Sequence, residues 1–280
     1  MNKRTIMQPP LQARRLTQWK PAPAIVTSLA WHGLASALAL AHPPAWPWVL
    51  GGIAANHLLL TAAGLWPRST LLGPNLTRLP AQAAAQGWVA LTFDDGPDPK
   101  VTPYVLDLLD ASGARASFFC IGRRARAHPA LVREIVARGH RVENHGNAHS
   151  KAFAAYGYFR MRADIEAAQN VLADLTGQQP RFFRPLGGLR SPLLDPVLAQ
   201  LDLRLASWTR RGFDSVSRDP DRVLRRLTRG LRAGDVLLLH DGCAPLTASG
   251  EPVSLAMLPS LLATMRAAGL QSVALADAVP

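Results

Sequence analysis

The stretch LTFDDGPDP, residues 91–99, sets Asp94 and Asp95 side by side after an apolar run, Trp88-Val89-Ala90-Leu91, and follows them with Gly96-Pro97. Adjacent like charges repel, and residues 1–93 hold no acidic residue at all, so the doublet needs a cause. One cause is local: Asp, Gly and Pro favour turns, and Asp caps helices. The other is chemical: active sites of parallel α/β folds are built at strand ends, where paired carboxylates can do catalytic work. The nine residues alone leave both open.

Downstream, apolar β-rich runs recur at 88–93, 116–121, 141–144, 181–184, 203–208, 235–240 and 272–276. Between most of them lie amphipathic stretches. TPYVLDLLDASG (102–113) has Pro in its first turn and Gly at its end, and HPALVREIVARG (128–139) repeats that plan. Seven strands with intervening helices predict a parallel βα barrel or a doubly wound sheet. The chemistry-bearing residues fall in register with the runs. Asp94 and Asp95 end the first, His145 the third with His149 four residues on, Arg184 the fourth, and His240-Asp241 the sixth, while Asp214 follows the fifth. In such folds all C-terminal strand ends share one face. A turn former has no reason to recur there with His and Arg, which favours the chemical cause.

With these residues in place the chain resembles the polysaccharide deacetylases, carbohydrate esterase family 4 with the NodB-homology domain. TFDDGP (92–97) resembles the family's first motif, NHGNAHS (144–150) the second, FRPLGG (183–188) the third, SWTRRGFD (207–214) a divergent fourth and LLLHD (237–241) the fifth. They occur in family order, and the resemblance covers residues 86–280. It implies a distorted parallel (β/α) barrel of about seven strands and a metal-dependent hydrolase that removes an N-acetyl or N-acyl group from an amino sugar, in a cell-envelope glycan such as peptidoglycan or an exopolysaccharide or in a lipid-linked saccharide. By position, Asp94 is implied as general base and Asp95, His145 and His149 as metal ligands. Arg184 pairs with Asp94, and His240 is the general acid oriented by Asp214. The backbone N–H near Gly187 is implied at the oxyanion and Leu238 at the acetyl methyl group. The implied cofactor is a divalent metal, zinc first, with cobalt, manganese, nickel or iron(II) as other candidates.

The residue types suit those roles. One carboxylate and two imidazoles leave coordination positions open, as a catalytic site requires. The i, i+4 spacing of His145 and His149 puts both on one face if that segment is helical. A guanidinium favours an ionised Asp94, and an imidazole with an ordinary pKa of about 6.5 can protonate a departing amine. Three departures from the family pattern bear on substrate: Gly146 where Ser or Thr is usual, Leu186-Gly187-Gly188 without the usual aromatic, and Arg211 where an earlier acid often stands.

The formal charge of +12 is unevenly spread, since residues 1–93 carry seven basic residues and no acid. No basic-aromatic face or motif marks a nucleic-acid binder; basic residues flanking apolar stretches point to an anionic membrane surface. Residues 1–23 form a basic segment, and 24–66 contain two apolar stretches, 24–41 and 45–66, separated by His42-Pro43-Pro44. Each is long enough to cross a hydrocarbon core of about 30 Å. Trp46, Trp48 and Trp66 lie near the ends of the second. A membrane hairpin is expected, followed by a linker at 67–85 and the catalytic domain at 86–280. The basic flank predicts an inner-membrane protein with its barrel in the cytoplasm. The alternatives are an exported or periplasmic protein with a signal cleaved after 39–41, and two apolar helices packed on the barrel. Cys120 and Cys243 form no metal or disulfide pattern.

Arg210 and Arg211, lying between the fifth run and Asp214, are expected on the active-site face. There they suit the phosphate of a membrane-linked N-acyl amino sugar, against the alternative of a solvated pair. Two other functions remain at this point. A non-haem iron oxygenase shares the two-His-one-carboxylate set, but Asp94 and His240 have no role in it. A degenerate sugar-binding module would have lost a ligand or the base, and none is lost.

Overall fold

A computed structural model describes residues 19–279. Helix α1 (Pro23–Ala41) and helix α2 (Trp46–Leu65) are joined by a one-turn 3-10 segment, Pro43–Ala45. Proline opens each helix at a position whose N–H has no helical partner. At 1.5 Å per residue the two helices are about 28 and 30 Å long. They are apolar and largely uncovered: Leu29, Leu40, Trp48 and Leu58 are exposed. Their polar groups meet each other, Asn56 Nδ2 donating to Ser28 Oγ (2.8 Å) and the His32 and His57 Nε2 atoms lying 3.3 Å apart. By length and composition both helices suffice to cross a membrane.

The segment 67–85, expected as a linker, packs into the barrel. Leu76 N–H donates to Leu205 O, Ser207 N–H returns to Leu76 O, and Leu79 N–H donates to Gly234 O. Arg78 Nη2 reaches Asp235 Oδ1 at 2.6 Å. After the short helix α3 (Ala81–Ala85), the chain follows the expected alternation. In order come β1 (Trp88–Asp94), α4 (Thr102–Ser112), β2 (Ala116–Cys120), α5 (Gly122–Ala127), α6 (Pro129–Ala137), β3 (Arg141–Asn144), α7 (Tyr158–Thr176) and β4 (Phe182–Phe183). Then follow α8 (Leu194–Gln200), β5 (Arg204–Leu205), β6 (Arg210–Arg211), α9 (Pro220–Thr228), β7 (Val236–His240), α10 (Val253–Ala267), β8 (Gln271–Ser272) and α11 (Leu275–Ala278).

The strands run parallel in the order β5-β4-β3-β2-β1-β7-β6, with β8 pairing the start of β1. This is a distorted (β/α) barrel. Its two edges are β5 and β6, and residues 76–78 bridge Ala206 and Asp235 across the gap between them. Two sequence expectations need correction. β6 was not among the apolar runs, because its two residues are both Arg. The run 272–276 contributes only the end of β8 before the chain turns into α11.

The period of two along the strands decides what enters the barrel. Val89, Leu91 and Phe93 of β1 and Leu237 and Leu239 of β7 pack outward against the helices. Ala90 of β1 and Val236 and Leu238 of β7 pack inward with Phe119, Phe182 and Trp208. Continuing that parity, Asp94 and His240 stand at the inward-facing C-terminal ends of paired central strands, and they are register partners.

Candidate active site

Asp94 inherits its direction from β1, while Asp95 leaves the strand with φ of 74°, so the neighbouring carboxylates part. Below them lies buried Asp241, which accepts from Thr102 Oγ1 at 2.6 Å. Burial pushes its pKa up to about 7 against the Thr102 hydrogen bond, with the Asp95 charge adding to the rise. A Cβ at Gly96 would run into this carboxylate, so the turn must carry Gly there.

His149 Nε2 lies 2.7 Å and His145 Nε2 3.2 Å from Asp95 Oδ1. His145 Nδ1 sits 2.7 Å from the Arg184 carbonyl, which can only accept; Nδ1 therefore carries the proton and Nε2 presents its lone pair. Burial would raise the Asp95 pKa, but the two imidazoles outweigh it and hold the carboxyl far below its usual range. Burial likewise opposes the imidazolium of His145, and Asp94 and Asp95 more than compensate, raising its pKa. Asp95 Oδ1 and His149 Nε2 are buried and make no hydrogen bond of normal geometry, although in contact. One donor atom from each of the three residues lies within 4.8 Å of the others. Two imidazole nitrogens and one carboxylate oxygen of this kind fit a divalent ion with open positions.

The expected helical face for His145 and His149 is not what brings them together. Residues 145–150 form an irregular loop, in which Gly146 has φ of 76° and His149 φ of 52°. Asp164 on α7 holds that loop by accepting from the Asn147 and Ala148 N–H groups, both at 3.0 Å. Asn144 Oδ1 accepts from Gly146 N–H (2.8 Å), and its amide donates to Ile165 O and Gln169 Oε1 on the same helix. A Cβ at Gly146 would approach Asp164 Oδ2 to 2.9 Å, which accounts for Gly where the family pattern has Ser or Thr.

Arg184 follows β4 and is wholly buried, its guanidinium 4.0 Å from the centroid of the Phe119 ring. Nη1 donates to Asp94 Oδ1 (2.7 Å) and Thr92 Oγ1 (2.9 Å), Nε to Ala206 O (3.1 Å) and Nη2 to Ser207 O (2.9 Å). Across the site, Asp214 Oδ2 accepts from the His240 backbone N–H at 2.7 Å and Oδ1 lies 2.8 Å from His240 Nδ1. Burial disfavours the His240 imidazolium, but Asp214 leads Asp94 and Asp95 in outweighing it, and the pKa is pushed up to about 9.

The four expected substrate contacts separate. Gly187 lies in the turn after β4 with φ of 61°, and Leu238 is buried inside the barrel two residues before His240. Arg211 lines a groove beside Trp208. Arg210 does not reach the active-site face: its register partner is Leu237, near the start of β7, and its guanidinium is taken up by Asp235 and by the carbonyls of Arg229 and Gly230. Sequence reasoning missed Asp164, Thr92 and Thr102, whose supporting roles exist only through contacts distant in sequence. Asn144, first residue of the NHGNAHS stretch, was the nearest to a visible signal.

The sequence pattern of the family described as Polysaccharide deacetylase matches residues 81–206. The chain is 32% identical over 192 residues to a chitooligosaccharide deacetylase of Azorhizobium caulinodans, covering 66% of this chain and 90% of that one. It is 33% identical over 156 residues to a peptidoglycan-N-acetylglucosamine deacetylase of Bacillus cereus, covering 55% of this chain and 72% of the other. A solved family 4 carbohydrate esterase from Streptomyces lividans, in complex with acetate, superposes with a TM-score of 0.60 at 33% identity, covering 66% of this chain and 91% of that one.

Proposed function

We propose, on the premise that this chain belongs to the polysaccharide deacetylase family, that it removes an acetyl group from an amino sugar by the two-carboxylate, two-histidine chemistry its barrel mouth can support. The membership makes it an N-deacetylase hydrolase of amino-sugar glycans. The observation that carries the finer reading is the company that Asp95, His145 and His149 keep with two charge pairs, Asp94 with Arg184 and His240 with Asp214.

Asp95, His145 and His149 would hold a divalent cation, zinc first by donor chemistry, which supplies Lewis acidity toward water and the acyl carbonyl. Asp94, held by Arg184 Nη1, accepts the proton of the attacking water. Its second oxygen lies 3.9 Å from His145 Nε2, beside the metal ligands rather than among them. His240 donates its proton to the departing amine nitrogen, and its raised pKa keeps it charged at neutral pH. Asp214 fixes that imidazole through Nδ1, leaving Nε2 to face the substrate. The Gly187 turn offers a backbone N–H toward the developing oxyanion, and Leu238 closes the apolar floor on the acyl methyl. The apolar hairpin α1–α2 anchors this barrel in the inner membrane, with the site on the cytoplasmic side.

Acetate release and metal content, measured on the full chain, test the division of labour. Asp94→Asn should lower turnover by about 10²–10⁴ while retaining metal; Asp95→Asn should lose metal itself. Equal metal loss in both variants would overturn the assignment.

A further inference from the structure

Trp66, Pro67 and Arg68, where the hairpin meets the barrel, form one wall of a groove of about 380 Å³. Trp208, Arg211 and Phe213 form the other, with Thr209 between them. Arg68 and Arg211 are its charged residues, and no carboxylate lines it. Among the described residues neither guanidinium is paired with an acid: Arg68 makes one long hydrogen bond, to Thr209 O at 3.4 Å. The Arg211 guanidinium lies 4.8 Å from the Phe213 ring and 5.5 Å from the Trp208 ring, its buried Nε without a partner. Arg226 covers Phe213 as well, at 5.2 Å. Apolar support under unpaired guanidinium groups leaves their N–H forks free for an anion, and planar forks suit phosphate oxygens.

The groove adjoins both the catalytic groups and the hairpin. Trp208 is a shared wall, with Arg184 5.8 Å from its ring and in contact with Asp94. Phe213 immediately precedes Asp214, which holds His240. Gly188, next to Gly187, packs so tightly between Pro67 and Trp208 that a Cβ there would meet both, at 2.6 and 2.8 Å. At the opposite side Trp66 is 61% exposed directly after α2, whose outer face carries uncovered Leu58, Leu59 and Leu65. An indole at the end of an apolar helix of spanning length marks the membrane interface.

We infer that the substrate is an N-acyl amino sugar joined through phosphate to a membrane lipid, with the phosphate bound between Arg68 and Arg211. The lipid chain leaves past Trp66 along α2 into the bilayer, and the sugar reaches past Trp208 to the barrel mouth. This inference rests on the deacetylase reading above and narrows its substrate. It also replaces Arg210, which Asp235 occupies, with Arg68 as the partner of Arg211.

The test uses the full chain in nanodiscs of zwitterionic lipid, in two independent measurements. In the first, a short polyprenyl phosphate is titrated into metal-free protein and tryptophan fluorescence reports binding. Arg68→Gln/Arg211→Gln should weaken binding at least tenfold, and Arg68→Lys/Arg211→Lys should recover part of it; thermal unfolding of each variant confirms the fold. In the second, deacetylation is compared for polyprenyl-phospho-N-acetylglucosamine, soluble N-acetylglucosamine 1-phosphate and neutral chitotriose. The Gln variant should raise KM for the lipid-linked sugar at least tenfold more than for chitotriose. Binding indifferent to both arginines, or equal losses on lipid-linked and neutral sugars, would overturn the proposal. Preference of the wild type for the soluble phosphate would overturn its lipid half. A protein that binds the lipid phosphate through these arginines yet releases no acetate would refute the deacetylase chemistry and leave the groove assignment standing.

Discussion

Replacing Asp214 with Asn removes one charge from the acid side of the site while keeping an oxygen able to accept the His240 backbone N–H, now at 2.7 Å. Burial works against the imidazolium, and Asp214 is the foremost group that reverses it, lifting the His240 pKa from 6.5 to about 9. That rise corresponds to about 3 kcal/mol of preference for the charged ring. Without Asp214 the pKa should fall below about 7, Asp94 and Asp95 compensating only in part. At about pH 8 the protonated fraction of His240 then drops from about nine-tenths to under about one-tenth, whereas at about pH 6 it changes little. Acetate release followed from about pH 5 to 10 should therefore show the alkaline limb moving down by about two, on top of any uniform loss from a misoriented ring. The sign extends to stability. A pKa raised by folding stabilises the native state fully below about 6.5, and that contribution disappears as pH rises through about 9. The gap in urea midpoint between wild type and Asp214→Asn should shrink over the same range. An alkaline limb that stays above about pH 8.5 in the variant would refute His240 as the acid governed by Asp214.

Arg184→Met should destabilise the fold by about 3–5 kcal/mol in denaturant titrations, because it leaves the buried Asp94 charge unpaired and removes hydrogen bonds from the Ala206 and Ser207 carbonyls. Gly146→Ala should cost about 1–3 kcal/mol through its positive φ, and should weaken metal retention by displacing the loop that Asp164 holds, as metal analysis after dialysis would show. Alkaline phosphatase fused after Pro80 should be inactive and green fluorescent protein fused there bright; the reverse would place the barrel outside the cytoplasm.

Much of the site was legible in the chain because the long central strands obey a period of two. That parity sets Asp94 and, with Leu238 beneath it, His240 on one inner surface, and it needs no tertiary information beyond the placing of β1 beside β7. The helix punctuation was equally local: Pro in the first turn and Gly113 at the end delimit α4 without reference to anything else. The sixth strand was not legible, since a two-residue strand made of Arg210 and Arg211 has neither apolar character nor a period.

What only the tertiary structure decided are the partners that charge and hydrogen bonding choose across large sequence separations. Arg210 and Arg211 are neighbours of one residue type, yet successive strand residues point oppositely. One therefore meets Asp235 at the start of β7, and the other meets Trp208 and the groove. The i, i+4 histidines suggested a helix, but a loop brought them together, its Asn147 and Ala148 N–H groups held by the Asp164 carboxylate of α7. Arg68 looked like one of seven scattered basic residues until folding laid the turn after α2 beside Trp208, Thr209 and Arg211. Sequence determines which residues can do chemistry and where each strand ends; proximity across the barrel determines which of them meet.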